Sequence, residues 1–296
     1  MSTKIEWCDE TINVVAGCTK VSPACLNCYA EKMAPRLHRM ALPREDYRLA
    51  EKYGSTVLDG KWTGHVSRDL AEMDKALKWK KPKRLFIASM GDLFHDSVPD
   101  EFIARVWWIM GQCSGYLDPS RYRGHTFQIL TKRPKRMQQW MLGWSDRDTR
   151  RRWVENFGEV YDWMNGPKYW PDALEGVWLG CTIWDQPSAD ENIPILLQIP
   201  AAKLFVSYEP ALGPVDFTKH LPHETSKGPW PDAETDEAVG LDWVIMGGET
   251  GPGARPAKAE WFTDIISQCK AANVPVFVKK APEVVPIIRE LPESGS

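Results

Sequence analysis

Six short apolar runs, each closed by a polar or glycine-containing turn and mostly followed by a helical pattern, constrain this chain most. They are RLFIAS (84–89), TFQIL (126–130), VWLGCTI (177–183), KLFVSY (203–208), DWVIM (242–246) and VPVFVK (274–279). TINVVAG (11–17) is a seventh candidate. Apolar residues fall on both parities of these runs, so both faces are expected to be buried, as in parallel strands. Between them, Val66, Leu70, Met73 and Leu77 recur at helical spacing. Phe102, Val106, Ile109 and Cys113 do the same after Ser97, Pro99 and Asp100, which resemble a helix start. Phe262, Ile265, Ile266 and Cys269 mark a third helix, expected to stop at Asn273. Alternating strand and helix predicts an α/β fold with a parallel sheet, open or closed into a barrel.

At 296 residues the chain suits a single barrel-sized domain over 1–296. Residues 43–65 are polar without a period, and 213–241 are rich in proline and acids; both are expected as loop insertions. No run approaches a membrane span, and MSTKIEWCDE lacks a signal-peptide stretch, so a cytoplasmic protein with no membrane partner is expected. Net charge is −3, which supplies no general field for nucleic acid. Basic residues cluster only locally, in KRPKR (132–136) and RDTRRR (147–152).

Chemistry in parallel α/β sheets sits at the carboxyl ends of the strands. Here, with TINVVAG counted first, six runs in chain order end in polar residues: Cys18 after TINVVAG, Ser89, Asp92 and His95 after RLFIAS, then Lys132 and Arg133. CTIWDQ, SYEP with Ser207 and Glu209, and GGETGPGARP with Glu249 and Arg255 follow. Six such ends in succession predict one shared rim. Taken singly, Asp92 and Glu209 also suit turn or cap roles, GGETGPG a plain turn, and His95 a structural role.

GCTKVSPACLNCYAEK (17–32) places Cys18, Cys25 and Cys28 at C-x6-C-x2-C spacing. In a reducing compartment such a cluster points to metal rather than disulfides. Three readings remain open: buried structural thiols, a zinc site with Cys8 as fourth ligand, and a 4Fe–4S cluster held by three thiolates with one iron open. Cys8, Cys113, Cys181 and Cys269 stand alone and read as packed thiols.

GCTKVSPACLNCYAEKMA, SMGDLFH, LTKRP, VWLGCTI, LFVSYEPALGPV, DWVIMGGETGPGARP and VPVFVKK occur in order from about residue 5 to 280. Together they resemble a phage-type, radical-SAM-like family found mainly in bacteriophages and prophages. The resemblance implies a partial or near-complete (β/α) barrel of the radical SAM type. It also implies a 4Fe–4S cluster on Cys18, Cys25 and Cys28, with S-adenosylmethionine (SAM) on the open iron. A flavodoxin- or ferredoxin-like electron donor would serve it, in a host cytoplasm if the chain is phage-encoded. The usual C-x3-C-x-aromatic-C pattern is altered: the first gap is six residues and Asn27 takes the aromatic position, so Tyr29 is expected to replace that aromatic. By position, Met90, Gly91 and Asp92 would receive the SAM amino group. Ser207 and Glu209 would hold ribose, and Gly247, Gly248 and Glu249 the methionyl carboxylate or adenosine. Lys132, Arg133, Arg136 and Arg255 would bind substrate carboxylate or phosphate. The implied substrate is phage DNA, by isomerising an amino-acid adduct on the thymine methyl group. A pyrimidine-lesion repair lyase and a zinc-stapled nucleic-acid-binding protein are the alternatives.

Overall fold

The apolar runs become strands of one sheet. The computed structural model describes residues 5–114, 122–155, 173–222 and 240–293. In chain order, β1 (Glu10–Ile12) and β2 (Val15–Gly17) precede α1 (Tyr29–Ala41) and α2 (Tyr47–Gly54). A small hairpin, β3 (Val57–Leu58) and β4 (Lys61–Trp62), then β5 (Ser67–Arg68) and α3 (Asp74–Lys78), lead to β6 (Arg84–Ile87) and β7 (Met90–Gly91). There follow α4 (Asp100–Cys113), β8 (Thr126–Thr131), α5 (Pro134–Ser145), α6 (Arg147–Val154), β9 (Val177–Ile183) and α7 (Gln186–Leu196). The chain then forms β10 (Lys203–Tyr208), β11 (Trp243–Gly247), α8 (Ala259–Ala271) and β12 (Val276–Lys280).

Seven strands pair in the order β1-β6-β8-β9-β10-β11-β12, every pair parallel, and curve into a half-barrel with helices around it. The two parities separate cleanly. Leu85, Ile129, Leu179, Val206, Val244 and Val278 face the helices in the large core. Phe86, Trp178, Phe205, Trp243, Ile245 and Phe277 form a second cluster on the inner face, with Trp7 wedged among them. Gly180 is required in that layer, because a Cβ there would stand 2.6 Å from the Phe205 ring.

Four expectations need correction. TINVVAG is two strands: Asn13 lies between them, its side-chain oxygen accepting from Ser89 Oγ and Met90 N, and β2 pairs with β7 in a separate sheet. Residues 43–65 hold α2 and the β3–β4 hairpin; Asp46 caps α2 by accepting from Leu49 N at 3.0 Å. The helix around Leu70–Leu77 is a 3-10 turn followed by five α-helical residues. On α4 the fully buried face is Ile103, Val106, Trp107, Met110 and Cys113, while Phe102 and Ile109 are only half-buried. In α8, Phe262, Ile265 and Cys269 are buried, and the chain leaves the helix through Asn273 with φ 55°. Of the 213–241 insertion, residues 223–239 lie outside the described residues. Among the described residues no helix is long and apolar enough to cross a membrane.

Candidate active site

The cysteine loop springs from β2 at Gly17, where φ is 92° and a Cβ would stand 2.3 Å from His65 O, so no side chain fits. Cys18 follows at once, Cys25 ends the 3-10 turn Pro23–Cys25, and Cys28 is the N-cap of α1. All three are free thiols; Cys25 is buried and the other two half-buried. Burial pushes Cys18 up to about 11, with the Asp92 carboxylate adding and Arg133 opposing. Burial acts upward on Cys25 too, but the Ser22 hydroxyl (3.5 Å), the Val21 backbone and the Lys132 ammonium bring it below the ordinary thiol value. Among the described residues no three Cys, His, Asp or Glu side chains stand close enough to hold a single metal ion.

Behind Cys18 lies a buried ion pair. Arg133 Nη1 donates to Asp92 Oδ2 at 3.0 Å and to Cys18 Sγ at 3.6 Å. Its Nη2 donates to Thr19 Oγ1 at 2.9 Å and Thr19 O at 3.2 Å. Asp92 also accepts from Thr131 Oγ1, Lys132 N and Phe94 N. Thr19 Oγ1 meets His95 Nε2 at 2.9 Å, and burial followed by the Arg133 charge presses His95 towards its neutral form.

The outer side of the loop is clasped by the segment after β11. Asn27 Nδ2 donates to Glu249 Oε2 at 2.9 Å and to Gly253 O at 3.0 Å. Arg255 binds both oxygens of Glu249 and reaches Pro23 O at 3.0 Å. The Arg255 hydrogen bond leads the causes that hold the Glu249 carboxyl down at about 2.

Above the aromatic floor, the inner face turns polar at the strand ends. Lys132 Nζ donates to Thr182 Oγ1 at 3.4 Å, and Thr182 is in register with Ser207. Lys279 Nζ donates to Glu209 Oε1 at 2.8 Å. Gly247 lies against Glu209, where a Cβ would stand 3.2 Å from its carboxylate carbon. Tyr29, at the start of α1, donates its hydroxyl to Ser89 O. Thiols, ammonium groups, hydroxyls and a carboxylate thus share one rim.

A family model described as "Protein of unknown function (DUF5131)" matches residues 2–289. The chain belongs to the DUF5131 family. No curated protein matches it. Among solved structures it is similar to spore photoproduct lyase complexed with dinucleoside spore photoproduct, at 11% identity and TM-score 0.42. It is also similar to a cysteine-to-serine mutant of spore photoproduct lyase, at 10% identity and TM-score 0.44. Each alignment covers 94% of this chain and 78% of the other.

In this DUF5131 member the predicted residues do not all meet. Lys132 reaches Thr182, which is in register with Ser207; Glu209 lies against Gly247; and Tyr29 directly follows Cys28 on the loop that carries Cys18 and Cys25. Met90 and Gly91 form β7, and Gly91 is needed because a Cβ would lie 2.9 Å from Val15 Cγ1. Asp92 is engaged by four protein donors rather than presented to a ligand. Glu249 and Arg255 hold each other and the cysteine loop, and Gly248 N donates to Lys280 O at 2.7 Å. Arg136 pairs with Asp100 at the start of α4, among the helices. Lys279, Thr182, Thr19 and Asn27 were not anticipated. Lys279 and Thr182 sit at strand ends, the same signal that marked the others, and Asn27 lies inside the C-x2-C pair.

Proposed function

We propose that this chain is a radical SAM enzyme whose Cys18, Cys25 and Cys28 hold a 4Fe–4S cluster. The observation that carries the reading is a loop of three thiols, without a fourth cysteine, at the carboxyl-end rim of a parallel half-barrel. The donor set fits the group: three thiolates satisfy three irons and leave one open. When bound, the cluster supplies the electron that splits SAM into methionine and a 5′-deoxyadenosyl radical. A zinc staple would need a fourth donor. Cys8 is buried in the inner aromatic cluster with Trp7 and Phe86, which argues against that role.

The chain's own residues bind and orient. Ser207, Thr182 and Glu209 offer hydroxyl and carboxylate partners for ribose. The Gly247 and Gly248 backbone lets a ligand approach closely. Lys132, which has no carboxylate within 4.0 Å among the described residues, suits an anionic group. Tyr29 stands beside Cys28 in place of the usual aromatic. The Asn27–Glu249–Arg255 clasp fixes the loop that presents the thiols.

The substrate we propose is thymine in phage DNA, carrying an amino-acid adduct on its methyl group. Hydrogen abstraction from the adduct, migration of its bond from nitrogen to carbon and return of hydrogen complete an isomerisation. The base must be extruded or single-stranded to reach the rim. A flavodoxin- or ferredoxin-type protein in the host cytoplasm would supply the electron. The test incubates reconstituted enzyme, SAM, reductant and adduct-bearing DNA, then digests to nucleosides for mass spectrometry. A new nucleoside of equal mass and different retention is expected. Restored plain thymidines from lesion-bearing DNA would favour a repair lyase instead, and unchanged nucleosides would remove DNA as substrate.

A further inference from the structure

Arg133 reads from sequence as a substrate ligand, but the residue is only 8% exposed and both terminal nitrogens of its guanidinium are engaged by protein partners. Asp92, Cys18 and Thr19 hold the guanidinium, and Thr131 holds the backbone. Nη1 is shared between Asp92 Oδ2 and Cys18 Sγ, Nη2 lies between Thr19 O and Thr19 Oγ1, and the backbone N–H of Arg133 donates to Thr131 Oγ1 at 2.9 Å. Asp92 Oδ1 accepts from Thr131 and Phe94, and Oδ2 accepts from the Lys132 backbone as well as from Arg133, so the pair cannot rotate without breaking a buried network. Thr19 is itself fixed by His95.

We infer that Arg133 is a positioning residue for the iron–sulfur site: it directs an N–H to sulfur hydrogen bond at Cys18 and makes the bound cluster easier to reduce. The inference rests on the radical SAM reading above. Its physical basis is one shared nitrogen: Nη1 donates to both Cys18 Sγ and Asp92 Oδ2, so the guanidinium sets an N–H against the sulfur and offsets the nearby Asp92 carboxylate. Reduction adds negative charge at the cluster, and a hydrogen-bonded cation beside a ligand sulfur stabilises that charge. A fork is needed, because a lysine ammonium lacks the planar donor set that meets Asp92, Cys18 and Thr19 together. Asp92, in this account, aims Arg133 and does not bind the SAM amino group.

The test is an anaerobic redox titration of reconstituted wild type, Arg133→Gln and Arg133→Lys, following the spectroscopic signal of the reduced cluster. Arg133→Gln removes the cation and leaves Asp92 uncompensated, so its potential should become more negative by at least a tenfold change in the reduction equilibrium, about 59 mV for one electron. Arg133→Lys should shift in the same direction by less. A residue that served only the fold would lower the melting temperature of both variants and leave the potential where it was. Equal potentials in wild type and folded variants overturn the inference and leave the radical SAM reading intact. Should Arg133→Gln fail to fold, the potential of Arg133→Lys decides on the same criterion. A wild type that takes up no cluster removes the reading and the inference with it.

Discussion

Asn27 Nδ2 lies 2.9 Å from Glu249 Oε2, joining the middle of the C-x2-C pair to the segment after β11. The two residues are 222 positions apart, and their contact fastens the cysteine loop to the far part of the half-barrel. Arg255 completes the clasp on Glu249 and Pro23.

Removing Glu249 should therefore loosen the loop. Glu249→Ala is expected to cost about 1.5–3 kcal/mol, the worth of hydrogen bonds to a charged group. Urea unfolding measures it, and amide exchange over residues 18–28 should speed up. The folded carboxyl sits at about 2 against an ordinary value of 4.5. Such a depressed group stabilises the fold fully above pH 4.5, and that contribution is lost as pH falls towards 2. The stability gap between wild type and Glu249→Gln should accordingly narrow over that window, and a gap independent of pH would contradict the clasp.

Gly180 faces the Phe205 ring at a distance no Cβ tolerates, with both residues on the inner face. Gly180→Ala should destabilise by about 1–3 kcal/mol through overpacking. Calorimetry reads this directly, and an unchanged melting temperature would show that the aromatic floor yields to a methyl group.

Lys132 and Arg136 separate on the question of phosphate contacts. Lys132 Nζ donates to the Thr182 hydroxyl at the rim, whereas Arg136 is paired with Asp100. Lys132→Ala should reduce the slope of log affinity against log salt for DNA by about one, and Arg136→Ala should leave it unchanged. The opposite pattern would move the nucleic-acid path to the helix side.

The strands were legible because their apolar character is complete. VWLGCTI and KLFVSY have the bounds of β9 and β10, since both faces are buried along their length. The α2 helix was not, because one of its three buried residues, Lys52, is unlike a core. Lys52 is buried through ion pairs to Asp69 and Glu72, so no apolar period marks the segment. Of the candidate site, the crowding of Cys18, Cys25 and Cys28 on one loop and the polar residues at the strand ends were readable from spacing. The pairing of Arg133 with Asp92, and of Arg255 with Glu249, was not, because a charged residue near a strand end looks the same whether it awaits a ligand or is already held by the protein.

The central claim is tested most directly by iron content and SAM cleavage in one series: wild type, Cys8→Ala, Cys18→Ala, Cys25→Ala and Cys28→Ala, reconstituted anaerobically with iron and sulfide and then reduced. Wild type and Cys8→Ala should hold about four irons per chain, absorb near ~400 nm, and convert SAM to 5′-deoxyadenosine and methionine. Each of the three loop variants should lose the cluster and the reaction. Undiminished 5′-deoxyadenosine from Cys25→Ala, or a colourless wild type carrying stoichiometric zinc and leaving SAM intact, would contradict the account.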